Sequence, residues 1–221
     1  LSAAIDGQSD LSLWEGQALL YTLNFRHTDQ VSEVNWTPPD FSGFIESSVV
    51  SPRQKDYTIS EDGKSVGVVE LAVPLIASSV GLREIPPAVF TVKHPSARSS
   101  RGGWPSIFGG VSGRYRTESV PSNPVTVNIR PLPSVDRPDD FSGAVGRFSV
   151  KAGLSEARLA LGETTTLTVV VEGEGALQGI QLPAFPEELA VRAYDDTPNV
   201  TSAIQDGQYR SRVVFKRALV P

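Results

Sequence analysis

One order of strand-like runs occurs twice in this chain, and no other feature restricts its fold as much. "DLSLWEGQALLYTLNF" (Asp10–Phe25) aligns with "EARLALGETTTLTVVV" (Glu156–Val171), placing Gly16 on Gly162, Leu13 on Leu159, Tyr21 on Leu167 and Leu23 on Val169. "VNWTPPDF" (Val34–Phe41) meets "IQLPAF" (Ile180–Phe185), each read as a strand ending in proline before a Phe. "ISEDGKSVGVVELAVP" (Ile59–Pro74) parallels "AIQDGQYRSRVVFKRALVP" (Ala203–Pro221). The same order at the same long interval is the mark of a duplicated module.

The repeated runs alternate apolar and polar residues and are rich in β-branched side chains, the pattern of strands with one buried face. The strongest are Leu19–Phe25, Val66–Val73, Ala88–Val92, Val125–Ile129, Leu167–Val171 and Tyr209–Leu219. Asp62–Gly63 and Asp206–Gly207 supply the positive φ of tight hairpins, and Glu172–Gly175 is a further turn signal. Helical periodicity is nearly absent. Leu154–Leu161 is read as a strand with Leu159 and Leu161 inward. Short strands punctuated by turns predict an all-β chain of two tandem immunoglobulin-like β-sandwich domains.

Between the copies stands "RPLPSVDRPDDFSGAVG". Residues 1–130 are read as the first sandwich, 131–146 as a linker and 147–221 as the second sandwich. Pro131, Pro133 and Pro138 fix φ, so the linker is expected to be a semi-rigid, extended spacer. Phe141 is expected to pack between the modules, with Gly143 and Gly146 allowing close approach. The second copy has no counterpart of "GLREIPPAVFTV" (Gly81–Val92) or "NPVTVNI" (Asn123–Ile129). It is therefore expected to be incomplete and to leave a strand edge unpaired.

Composition removes whole classes of function. A net charge of −5 with no Lys/Arg block disfavours nucleic acid as a partner. Zero cysteines exclude disulfides, thiol nucleophiles and Cys-ligated zinc. The two histidines, His27 and His94, lie in turn-like settings, and no serine sits in a nucleophile elbow. No catalytic residues and no cofactor are assigned. "DRPDD" (Asp136–Asp140) and "YDDTPN" (Tyr194–Asn199) lack the ligand spacing of a calcium loop, so they are read as solvated turn carboxylates and no metal site is assigned. Trp14 and Trp36 are read as core aromatics.

The unusual stretch is "HPSARSSRGGWPSIFGGVSGRYR" (His94–Arg116), long for a loop in a compact module. It sets Trp104, Ile107, Phe108 and Tyr115 beside Arg101 and Arg114. Aromatic anchors mixed with Arg are what interface hot spots favour, so these six residues are the candidate partner-binding set. The competing reading is that Trp104 and Phe108 fold back to cap the core.

"NPVTVNIRPLP", "FSGAVGRFSV" and "LPAFPEELAVRAY" together resemble the BatD family of bacterial oxygen-tolerance proteins, with the strongest likeness over Asn123–Ala152. The resemblance implies tandem immunoglobulin-like domains on the periplasmic side of the inner membrane. It also implies a signal peptide and membrane anchor outside this segment. Von Willebrand A-domain and MoxR-type ATPase partners are implied, in envelope stress and oxygen tolerance, with no catalytic set to carry over. The alternative is a carbohydrate-binding or adhesin-type surface module, since aromatic side chains also stack on sugars.

Overall fold

Most of the expected strands form in a computed structural model, which describes residues 2–5, 10–28, 31–95, 115–160, 162–185 and 191–221. Every regular element among the described residues is a strand. Up to Arg130 these are β1 (Ser2–Ile5), β2 (Asp10–Trp14), β3 (Ala18–His27), β4 (Glu33–Thr37), β5 (Phe44–Glu46), β6 (Arg53–Glu61) and β7 (Lys64–Ala77). They continue with β8 (Gly81–Ile85), β9 (Val89–Pro95), β10 (Tyr115–Pro121) and β11 (Val125–Arg130). The remainder holds β12 (Gly146–Leu154), β13 (Thr165–Gly175), β14 (Arg192–Asp195), β15 (Asn199–Gln205) and β16 (Gln208–Val220).

The first eleven strands form a sandwich. One layer runs β1-β3-β7, with β5 and β6 in succession along the outer edge of β7. The other layer contains β2-β11-β8 and β10-β9-β4. Its two parts are the halves of one long hairpin, interrupted on both arms. Pro86, Pro87 and Pro124 offer no N–H to a ladder, so pairing stops there. The Ser122 hydroxyl accepts from the Ala88 N–H at 2.9 Å, and the Ser122 N–H donates to the Ala88 carbonyl at 2.8 Å. Asn123 then ties the layers together, accepting from the Ala3 N–H at 2.8 Å and donating to its carbonyl at 3.0 Å.

The chain enters by pairing β1 antiparallel to β3, then crosses to pair β2 parallel to β11. With that crossing the two layers have the strand order of an immunoglobulin-like sandwich. Leu19, Tyr21, Leu23 and Phe25 meet Val69, Leu71, Val73 and Leu75 within one layer, and both face Leu13, Ile85, Phe90, Val92, Val127 and Ile129 of the other.

The last five strands make one antiparallel sheet, β12-β13-β16, with β14 and β15 in succession along β16. This reproduces the β1-β3-β7-β5/β6 layer, down to the register. Leu23 pairs with Leu71 in the first copy, and the aligned residues Val169 and Phe215 pair in the second. Both hairpins close on a left-handed Asp-Gly pair, Asp62 (φ 49°) with Gly63 (φ 74°) and Asp206 (φ 51°) with Gly207 (φ 74°). The described residues of the second copy supply no facing sheet. Leu177, Ile180 and Leu182 instead cross the inner face and pack on Val169, Val213 and Phe215. Val150 and Leu154 of the β12 edge are left 65% and 50% exposed.

Several sequence expectations change. Residues 155–160 are irregular rather than a strand. The Thr165 hydroxyl donates to the Glu156 carbonyl at 2.9 Å and accepts from the Glu156 N–H at 3.1 Å, which turns the chain away from β13. Ile180–Phe185 is not a strand either, because no neighbouring strand offers it a ladder; only its apolar side chains keep their place.

The proline segment is not an extended spacer. Asp136 adopts φ 59°, and the Arg137 guanidinium folds back to donate to the carbonyls of Leu132 and Pro133 at 2.9 to 3.1 Å. Phe141 stays 40% exposed under that guanidinium and takes no part in joining the copies. The residue between them is Tyr209. It is buried with Leu20 and Val50 of the first copy, and with Ala176 and Ile204 of its own. Its hydroxyl lies 3.0 Å from the Ser47 hydroxyl and accepts from the Gln178 amide at 3.0 Å. Gly16 sits at this joint, where a Cβ would lie 3.1 Å from Val145; Gly146 is close instead to its own sheet, a Cβ there lying 2.1 Å from the Glu174 carbonyl oxygen, and a Cβ on Gly143 would meet nothing within 4 Å.

Candidate protein-interaction site

The β9–β10 hairpin builds the site from regular pairing upward. Its register runs from Val89↔Pro121 to Pro95↔Tyr115, so the two flanks of the intervening segment meet at one end of the sandwich. Along one face of this ladder the residues change character. Phe90, Val92, Val34 and Val120 pack on the core; the same face carries Glu118 opposite Val92 and, beyond it, the paired His94 and Arg116. His94 Nε2 stands 3.6 Å from Glu118 Oε2, with Glu118 half exposed. The change from apolar to charged marks where the core ends and a solvated rim begins.

On the opposite face, Lys93 Nζ donates to Glu33 Oε2 at 2.6 Å and the Asn35 amide donates to Glu33 Oε1 at 2.6 Å. These two hydrogen bonds hold the Glu33 carboxyl below the usual carboxylate range, with the Lys93 charge adding to them. The rim is thus a set of paired charges around the base of the hairpin. Exposed pairs of this kind contribute little to stability.

Of the six candidate residues, Arg101, Trp104, Ile107, Phe108 and Arg114 lie outside the described residues. Tyr115 is the first residue of β10 and is 59% exposed at the rim. The two histidines are strand residues rather than loop residues: His27 ends β3, stacked on Phe25 at 5.6 Å, and His94 lies in β9. Both are half-buried.

Trp36 packs against the first core as expected. Trp14 does not; the Arg130 guanidinium lies 4.2 Å over its ring. Together with Gln17, Arg147, Glu174, Gln208 and Tyr209, Trp14 lines a cleft of about 660 Å³ where the copies meet. Asp195, within the acidic "YDDTPN" run, is engaged by Arg217. Among the described residues no group of three or more His, Asp or Glu side chains is placed to hold a metal ion.

No family model matches the chain, and no curated protein matches it. Among solved structures that match is a marsupial T cell receptor, at 10% identity and a TM-score of 0.21. The match covers 98% of this chain and 55% of the receptor chain, so this chain spans little more than half of that structure's length. The strand order and the crossing of β1 to β2 make the fold immunoglobulin-like, independently of that likeness.

Proposed function

We propose that this chain is a non-enzymatic protein-interaction segment of a membrane-anchored, BatD-like bacterial protein. It works on the periplasmic side of the inner membrane, with a von Willebrand A-domain protein as direct partner and a MoxR-type ATPase in the same system. The observation that carries the reading is the hairpin geometry. Pairing of Pro95 with Tyr115 delivers both flanks of an aromatic- and Arg-rich segment to one end of a rigid sandwich. Binding segments are commonly presented in this way, on loops held by a stable scaffold. The family resemblance over Asn123–Ala152 supplies the cellular setting.

The test is a titration of the chain against the von Willebrand A-domain protein encoded beside it, with and without Trp104→Ser and Phe108→Ser. A loss of two aromatic anchors weakens binding at least tenfold, about 1.4 kcal/mol or more, while the melting temperature stays within about 2 °C. Unchanged affinity sinks the reading. A large fall in melting temperature means that the aromatics cap the core instead. Specific hits on a glycan array, with no affinity for the A-domain protein, assign the chain to the carbohydrate-binding class.

A further inference from the structure

The joint between the copies is apolar at positions where the matching surface of the other copy is polar. Beside Val50 and Ala176, four of its residues have a sister position fixed by the shared register. Ala18 and Leu20 of β3 present an apolar pad on the outward side of the first sheet, with Leu20 1% exposed. Ile204 and Tyr209, paired across the β15–β16 hairpin, form the knob that rests on it. The shared register gives each of these residues a sister position in the other copy. The sisters of Ala18 and Leu20 are Thr164 and Thr166, and the sisters of Ile204 and Tyr209 are Ser60 and Ser65, themselves paired across the β6–β7 hairpin. Thr164, Ser60 and Ser65 are exposed and Thr166 is half-buried.

Each sister is therefore a Ser or Thr, three of them exposed and Thr166 half-buried. In each of these four pairs of positions, the apolar residue is the one at the contact between the copies. A flexible pair of modules tied by a linker has no reason to bury a Leu on an outward sheet face or a Tyr at a hairpin end, since each costs solubility when undocked. The polar contacts agree: the Tyr209 hydroxyl reaches Ser47 of the first copy and Gln178 of its own, each at 3.0 Å.

We infer that Leu20, Ile204 and Tyr209 form a one-time knob-and-pad joint that locks the two modules into a single rigid body. The relative orientation is set by this contact and not by the prolines of residues 131–138. The knob is absent from the first copy and the pad from the second, so these faces form one joint and do not propagate it. A rigid pair holds the β9–β10 hairpin at a fixed direction relative to the second module, which lowers the ordering cost of binding a partner that touches both.

The sister residues supply the variants, because the fold already accepts them at equivalent sites. In the full chain, Leu20→Thr, Ile204→Ser and Tyr209→Ser are combined, and the rotational correlation time of each module is measured by 15N relaxation. The unaltered chain shows one shared correlation time. The triple variant loses it: the modules tumble at separate rates, and the maximum dimension from small-angle scattering increases. A companion chain with Pro131→Ala, Pro133→Ala and Pro138→Ala keeps the shared value. A triple variant that still tumbles as one body overturns the inference, as does a proline variant that separates the modules. Loss of the β-sheet amide dispersion in the triple variant also overturns it, since the joint would then be part of the folding core.

Discussion

Arg217 offers a quantitative test of how the second sheet, which has no facing sheet among the described residues, covers its inner face. In the first copy its position holds Val73, 1% exposed in the middle of the sandwich. Arg217 is just as enclosed, with its side chain 7% exposed, yet it is a cation. Its guanidinium grips Asp195 through Nε and Nη2, donates from Nη1 to the Pro183 carbonyl at 3.0 Å and lies 5.9 Å over the Phe185 ring.

The two partners of the pair are not equivalent, because the Asp195 side chain is 62% exposed. Removing the carboxylate by Asp195→Ala leaves an enclosed cation with one carbonyl partner. A broken, fully buried pair costs about 3–5 kcal/mol; water reaches this one from the Asp195 side, so the loss is about 2 kcal/mol. Removing the cation by Arg217→Met returns a carboxylate that is already largely hydrated and keeps the side-chain volume, at a cost below about 1 kcal/mol. Equilibrium unfolding in urea, followed through amide resonances of β13 and β16, measures both at a common m-value. The reasoning is refuted if Arg217→Met is as costly as Asp195→Ala, or costlier.

Burial raises the pKa of Tyr21, which is 0% exposed, with the nearby Ser122 hydroxyl offsetting part of the shift, and its hydroxyl makes no well-formed hydrogen bond. Tyr21→Phe is accordingly neutral or stabilising by up to about 1 kcal/mol at pH 7, read from the urea midpoint. Because the folded-state pKa lies above the unfolded value, the contribution of Tyr21 is intact below the unfolded pKa and declines as pH rises past it toward the folded one. The alkaline loss of stability is therefore smaller in the Phe variant. Gly173 has φ 159°, and a Cβ there would lie 2.0 Å from the Arg147 carbonyl oxygen; Gly173→Ala costs more than about 2 kcal/mol by thermal unfolding. Gly63→Ala, at φ 74° with no atom within 4 Å, costs about 1 kcal/mol in the same assay.

Features set by neighbours in the sequence were legible there. The alternating runs, the Asp-Gly hairpins and the duplicated order specify β3, β7, β13 and β16, and the alignment of the copies reproduces their register. Features set by neighbours in space were hidden. Residues 155–160 alternate like a strand, but the Thr165 hydroxyl offers their backbone a closer partner than any ladder. The prolines of the linker argue for extension, and one arginine turning back on two carbonyls outweighs them.

Tyr209 and Leu20 pass as ordinary apolar residues until each is set beside its Ser or Thr sister, a comparison that the repeat alone made possible. An arginine at a core register, as at position 217, breaks the binary pattern and points to a specific partner without naming it. The aromatic and Arg residues of the β9–β10 segment follow a compositional signal, and the titration with Trp104→Ser and Phe108→Ser separates partner binding from core capping.

Cross-strand nuclear Overhauser contacts across the two central hairpins test the duplication most directly. Duplication places Leu23 opposite Leu71 and Val169 opposite Phe215, with β12–β16 pairing only among themselves. A one-residue slip of β13 on β16, or a ladder joining either strand to the first eleven, would contradict it.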